Sequence, residues 1–408
     1  MNQNTMTEKT KHAKTERIPN QPSAPIGIAL QESSNQEDDQ EEITSTTETE
    51  SLPQLGRIVV NQQDEFFIAL GKKTSGNINE RNHAFIMVGV MKEGKPILLG
   101  RLGKTNRVDP DIQTLIRLGQ EVETLGKTNL TRRIQLKGKI LKTEIKTCFK
   151  NCFFGTESEL EEESLRLYGS ISYAAYAITF EQYKQFLRII PFVQKSQEIS
   201  CFQPVDTQDD KIILEKKGFP YAENLNDANT QERDIVARAC YLHPNNTCRH
   251  TGIDLIEYTL GIPHLTDNIS RQFFVNLPVS ANFSWGVPDR YFYVFPLPPD
   301  GYPADETKKA ILTKIFRRME NLLKKDPYSE NTIQKFEALK NLYNEQAGIP
   351  DNDIEQALKS IRIWKSTNHD VICQLRAQSF LGKLFVSTSS TKAMADDIED
   401  ALERDLVL

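Results

Sequence analysis

The sequence predicts an α+β protein on three observations. Short apolar and β-branched runs, separated by turn residues, fill the stretch from Arg57 to Gly103. From Asp305 onward, apolar positions recur at helical spacing. Between these regions a polar loop, Asn245-Asn246-Thr247, runs into Cys248 and an amphipathic helix that Gly261 and Pro263 stop.

The first strands are Arg57–Val60, Phe66–Leu70 and the continuous run His83–Met91. A Lys92-Glu93-Gly94-Lys95 turn leads to Pro96–Gly103, so this pair is expected to form a hairpin. Residues 104–165 carry mixed charge, with a helical pattern around Ile112–Leu125 and strand-like material around Leu136–Ile145. Ser172–Ile178 reads as a strand, and Thr179 with Gln182 forms a capping box for a helix over Phe180–Ile190. Cys201–Asp210 reads as a loop before a short Ile212–Leu214 run, and Tyr291–Phe295 reads as a strand. Helices are expected over Asp305–Lys325, Ser329–Ala347 and Asp351–Ser366.

These elements suggest four segments. Residues 1–54 are poor in apolar residues, hold the acidic run Glu37–Glu42, and are expected to be a disordered leader. Residues 55–300 form the core, 301–385 a helical appendage, and 386–408 an acidic C-terminal tail. The net charge of −6 gives no overall electrostatic grip on nucleic acid. Six scattered cysteines do not make a disulfide framework and suit a reducing compartment. No apolar run reaches the ~18–20 residues that span a bilayer, and the N-terminus lacks the regions of a secretory signal peptide. No cofactor signature is present: Leu70-Gly71-Lys72-Lys73 and Gly103-Lys104-Thr105 lack the upstream glycine of a P-loop and read as turns.

Chemistry centres on Cys248. At the first turn of a helix that Asn246 or Thr247 caps, the dipole favours thiolate over thiol, which makes a sulfur nucleophile. Its own backbone N–H, at the helix start, is a candidate oxyanion donor. Of six histidines, His83 is placed as a general base, at the start of a buried strand and 165 residues upstream. If Lys92 pairs with Lys95, Lys104 falls opposite His83 and Asn106 becomes its diagonal neighbour, an orienter for the ring. Thr105 and Asp109 take that role if a bulge shifts the register. An alternative is zinc held by Cys240, His243, Cys248 and His250. Against it, residues two apart at a helix start diverge by about 200°, so Cys248 and His250 rarely face one ion. His243 is the substitute base.

His-Ala-Phe-Ile-Met-Val-Gly on a strand, then Asn-Asn-Thr-Cys opening a helix, resembles the circularly permuted papain-like fold of NlpC-like peptidases and lecithin:retinol acyltransferase relatives. The resemblance implies an antiparallel sheet packed on the nucleophile helix, with Cys248 as nucleophile and His83 as base. It makes Asn246 the counterpart of the Asn that often precedes the nucleophile. No histidine lies between residues 84 and 242, where the acyltransferase relatives carry a second one on the next strand. The helices around Leu322–Glu330 and the acidic C-terminus are similar to effectors that intracellular bacteria deliver by type IV secretion, in which an unfolded Glu-rich C-terminus is the signal. Together these imply a monomeric thiol hydrolase or acyltransferase secreted into host cytoplasm. Its substrate would be an amide, isopeptide or thioester in a host protein or peptide, ubiquitin-like conjugates included. The alternatives are a non-catalytic effector whose helices bind a host protein, and a zinc-stabilised binding module.

Overall fold

Elements were assigned in a computed structural model. It describes residues 56–407 except 77–82, 107–108, 126–128, 209, 223–224, 265–268, 273, 352 and 375–388. The expected leader and the polar loop before His83 lie outside the described residues.

The central element is a seven-stranded antiparallel sheet. Its strands are β2 (Glu65–Lys73), β3 (Ala84–Lys92), β4 (Lys95–Thr105), β6 (Glu159–Glu162), β7 (Gly169–Ile178), β11 (Val279–Ser284) and β12 (Val287–Pro288). They lie in the order β12-β11-β7-β2-β3-β4-β6. The middle strands read as continuous apolar runs because the sheet is covered on both faces. The fold is therefore α+β with antiparallel sheets.

The β3–β4 hairpin pairs Lys92 with Lys95 as expected, but β4 bulges. Val88 faces Gly100 while Gly89 faces Leu98, so Leu99 is the extra residue. Beyond it, Phe85 faces Gly103, one place out of the expected register. Because side chains alternate, a one-residue slip sends every β4 side chain past the bulge to the opposite face.

Two helices stand on this sheet beside the nucleophile. α3 (Phe180–Val193) begins with the expected Thr179–Gln182 capping box. α5 (Cys248–Leu260) ends at Gly261, whose φ of 70° is the left-handed conformation that suits glycine. α5 packs on β2, β3 and β4. Gly252 makes this approach close: a Cβ there would lie 2.6 Å from Leu70 Cδ1. α4 (Thr230–Ala239) leads through β10 (Tyr241–Leu242), which pairs with β5 (Thr156–Glu157), to the loop before Cys248. A smaller sheet is formed by β1 (Arg57–Asn61), β9 (Lys211–Gly218) and β8 (Ser200–Gln208), so the expected loop at Cys201–Asp210 is mostly strand.

Between β4 and β6 the chain makes a helical hairpin of α1 (Pro110–Thr124) and α2 (Leu130–Phe153). The strand-like reading of Leu136–Ile145 was wrong. Leu136, Ile140 and Thr147 share one helical face, and local period overrode β-branching. Tyr291–Phe295 is not a named strand either; only Phe295 bridges Tyr176. Phe292, Tyr293, Val294 and Phe295 are instead buried core. The C-terminal part is helical: α6 (Glu306–Lys325), α7 (Glu330–Gly348), α8 (Ile354–Thr367), the short α9 (His369–Cys373) and α10 (Ser390–Val407). The acidic C-terminal segment, unfolded on the effector resemblance, is helix here. It buries Ala395, Ile398 and Leu402, and Arg362 and Lys365 of α8 pair with its carboxylates. Among the described residues no helix is long and apolar enough to cross a membrane.

Candidate active site

Cys248 is the first residue of α5, behind the cap residue Thr247, whose extended backbone (φ −78°, ψ 174°) turns the chain into the helix. His250 occupies the place that Glu or Gln takes in a capping box: its Nδ1 accepts from the Thr247 N–H at 3.2 Å. Asn246 anchors the loop, with Nδ2 donating to the carbonyls of Arg238 at 2.8 Å and Tyr241 at 2.5 Å. Both predicted loop residues therefore position the sulfur rather than touch it.

The sulfur meets His83. The Ala84 N–H donates to Cys248 Sγ at 3.4 Å, which places the start of β3 against the start of α5 and brings the His83 ring close enough for its charge to act on the sulfur. The far ring nitrogen, Nε2, is bonded to Glu163 Oε1, so Nδ1 is the nitrogen left for the thiol. Arg101 in turn pairs with the other oxygen of Glu163. The His83 side chain is 26% exposed, so the ring reaches solvent.

Glu163, not Asn106, orients His83. The Leu99 bulge explains the difference. It brings Gly103 opposite Phe85, where Leu102 was expected, and Glu163 continues β6 opposite Arg101, its N–H donating to the Arg101 carbonyl at 2.8 Å. Phe85, Arg101, Gly103 and Glu163 then share one face. Gly103 leaves the space through which the carboxylate reaches the ring: a Cβ there would lie 1.9 Å from Glu163 Oε1 and 2.7 Å from His83 Nε2. Asn106 lies past the end of β4 and its carbonyl accepts from the Asp109 N–H. Of the two fallbacks, Thr105 ends β4 opposite Glu159, and Asp109 caps α1 and pairs with Lys150.

The electrostatics favour an ion pair. Burial alone would raise the Cys248 thiol, but the hydrogen bond and charge of His83, the Ala84 N–H and the Lys104 charge hold it below the ordinary thiol value. Burial alone would lower His83; its bonds to Cys248 and Glu163 and their charges raise it to about 9. Both shifts run in the direction that favours thiolate beside imidazolium.

Three buried cations surround this pair, and two come from the Gly-Lys fragments. Neither fragment is a turn: Gly71 to Lys73 lies in β2, and Gly103 to Thr105 ends β4. The bulge sends Lys104 to the face beneath α5. Its Nζ donates to the carbonyls of Arg238, Tyr241 and Asn246 and to Thr251 Oγ1, all within 3.0 Å. Burial pushes its pKa down to about 8, partly opposed by the charge of Cys248. Lys72 Nζ donates to the Phe274 carbonyl and Asn276 Oδ1, and Arg249 donates to the carbonyls of Gln272 and Val275. Both are nearly fully buried, and together they fasten the 274–276 segment beside the nucleophile.

Comparisons with family models, with curated proteins and with solved structures return no match. The site must be read from its own geometry.

The zinc set is not assembled. Among the described residues no group of three or more His, Cys, Asp or Glu side chains is placed to hold a metal ion. His250 faces Thr247, while His243 stacks on Tyr241 and accepts from the Asn245 N–H, so it does not replace His83 as base. Sequence reasoning missed Glu163 because it sits in the charged run Glu161-Glu162-Glu163, where nothing local separates one carboxylate from the next. The signal was the alternation that places residue 163 on the face of Arg101 and Gly103, and it required knowing that β6 pairs with β4.

Proposed function

We propose that this chain is a cysteine hydrolase or acyltransferase working through Cys248, His83 and Glu163. The observation that carries the reading is His83, bonded on one side to a carboxylate and electrostatically coupled on the other to a sulfur at a helix N-terminus, which the neighbouring Ala84 N–H contacts. That is the nucleophile–base–orienter arrangement of thiol acyl transfer.

Cys248 thiolate attacks a carbonyl carbon and an S–C bond forms. The carbonyl electron pair moves to oxygen, giving a tetrahedral oxyanion. The Cys248 N–H, first of the helix N–H groups that lack an intrahelical partner, is aimed at that charge. As the oxyanion collapses, His83 Nδ1 gives its proton to the leaving nitrogen, sulfur or oxygen, and an acyl-thioester remains. Neutral His83 then takes a proton from water or an acceptor nucleophile, which attacks the thioester, and the thiolate leaves. Glu163 holds the ring's orientation and stabilises the imidazolium in both halves.

The substrate class in this reading is an amide, isopeptide or thioester of a host protein or peptide. The setting is a bacterial effector on a permuted papain-like core. The sequence resemblance supports both. A thiol-directed acyl probe should label Cys248, as read by peptide mass spectrometry, and Cys248→Ala should abolish the labelling of that site together with turnover. Unchanged turnover in Cys248→Ala would overturn the mechanism.

A further inference from the structure

The α1–α2 hairpin carries an apolar face that the other described residues leave uncovered. Leu130, Ile134, Leu141, Ile145, Phe149 and Phe153 are 58–67% exposed. They run along one side of α2, drifting slowly round it, while Leu136 and Thr147 on the opposite side are buried. Phe149 and Phe153 pack with their rings tilted by 38° and centroids 4.8 Å apart near the helix end. α1 and α2 pack mainly on one another, and α1 has no buried residue at all. The stripe is therefore a convex ridge about 36 Å long, not one wall of a groove.

Charge decides what fits it. α2 holds seven Arg and Lys side chains against the single carboxylate of Glu144; Arg132, Lys146 and Lys150 pair with Glu121, Asp111 and Asp109, which leaves an excess of three cations on a chain whose net is −6. Lys137 and Lys142 flank the stripe, exposed and, among the described residues, without an ion pair. A second copy of the helix would bring two such cationic faces together, which like-charge repulsion opposes. A water-filled surround leaves the apolar ridge exposed. An anionic bilayer surface takes both features: the ridge enters the headgroup–acyl boundary while lysine stems reach back to the phosphates.

We propose that the α1–α2 hairpin docks the protein on anionic lipid surfaces, with α2 lying in the plane of the interface. Nothing in this requires the catalytic reading. The test is co-sedimentation of the full chain with vesicles of phosphatidylcholine alone and of phosphatidylcholine with phosphatidylserine at roughly 7:3, where each basic side chain near the surface adds attraction. The chain should sediment with the mixed vesicles, weakly with the neutral ones, and be released by about 0.5 M salt. Two exposed double variants, Phe149→Ser with Phe153→Ser and Lys137→Glu with Lys142→Glu, should each bind at least tenfold more weakly. Their melting temperature and their alkylation rate at Cys248 should stay unchanged. Equal binding by either variant would overturn the proposal. So would a wild-type chain that stays in the supernatant, whether because the ridge joins two copies (a light-scattering mass halved by the Phe variant) or because an acidic protein covers it.

Discussion

Glu163 sets the working pH of the pair. Its carboxylate is one of the two partners that raise His83 to about 9, and protonated His83 is in turn what holds Cys248 below its ordinary value. The sign follows for Glu163→Gln. His83 loses an anionic neighbour, its pKa falls, and the imidazolium is lost at lower pH. Cys248 then loses its cation and its pKa rises. Alkylation of Cys248, followed by mass spectrometry across pH, should persist below the ordinary thiol range in the wild type and fall away there in the variant. The alkaline limb of turnover should move to lower pH, and kcat/KM should drop by ~10²–10⁴. A profile identical to wild type would mean that Glu163 does not act through His83. Gly103→Ala should reproduce the effect, because its methyl displaces the end of a flexible side chain while leaving the sheet backbone in place. Cys248 and His83 were legible from residue type and local setting alone. Glu163 was not, since a carboxylate becomes an orienter only by pairing across 80 positions of chain.

The bulge at Leu99 is an element-scale event with chemical consequences. One added residue moves Lys104 from beside His83 to beneath α5, where it joins β4, the end of α4, the Asn-Asn-Thr loop and the first turn of α5. A protonated amine has three N–H groups to share among those acceptors, and neither methionine nor a planar guanidinium can replace that geometry. Lys104→Met leaves the Asn246 carbonyl without this donor, while the Arg238 and Tyr241 carbonyls keep the Asn246 amide. One unsatisfied group costs roughly 1–3 kcal/mol, so a net loss of about 2 kcal/mol is expected, read as a lower urea midpoint. Cys248 also loses a cation, so its alkylation at neutral pH should slow. An unchanged midpoint would mean that the loop holds itself. Elements with long, clean periods were readable from sequence: the β3–β4 hairpin, the capped α3, and α6, α7 and α8. β8 and α2 were not. Strands such as Ser200–Gln208, half polar and half exposed, lack a continuous apolar signal, and α2 turns its apolar face outward, away from any core.

At the scale of the whole molecule, part of the spacing between His83 and Cys248 has a simple origin. Thr105 pairs with Glu159, so β4 and β6 are neighbours and the chain between them leaves and re-enters the sheet at one place. The α1–α2 hairpin is thus an insertion at a strand connection, and its own bonds are mostly internal, such as Lys150 with Asp109 and Arg132 with Glu121. Replacing Asp109–Phe153 by a short Gly/Ser turn shortens a loop, which by closure entropy favours folding slightly, and it removes no residue that touches Cys248, His83 or Glu163. The tether from Tyr241 Oη to the Phe154 carbonyl survives, and so does the β5–β10 pair behind the nucleophile loop. The shortened chain should melt within about 5 °C of the wild type and keep the Cys248 alkylation profile while losing vesicle binding. That outcome would separate a chemical core from a docking arm in one chain. If the shortened chain were folded but unreactive at Cys248, the arm would instead be part of the machinery that holds β6, and with it Glu163, against His83.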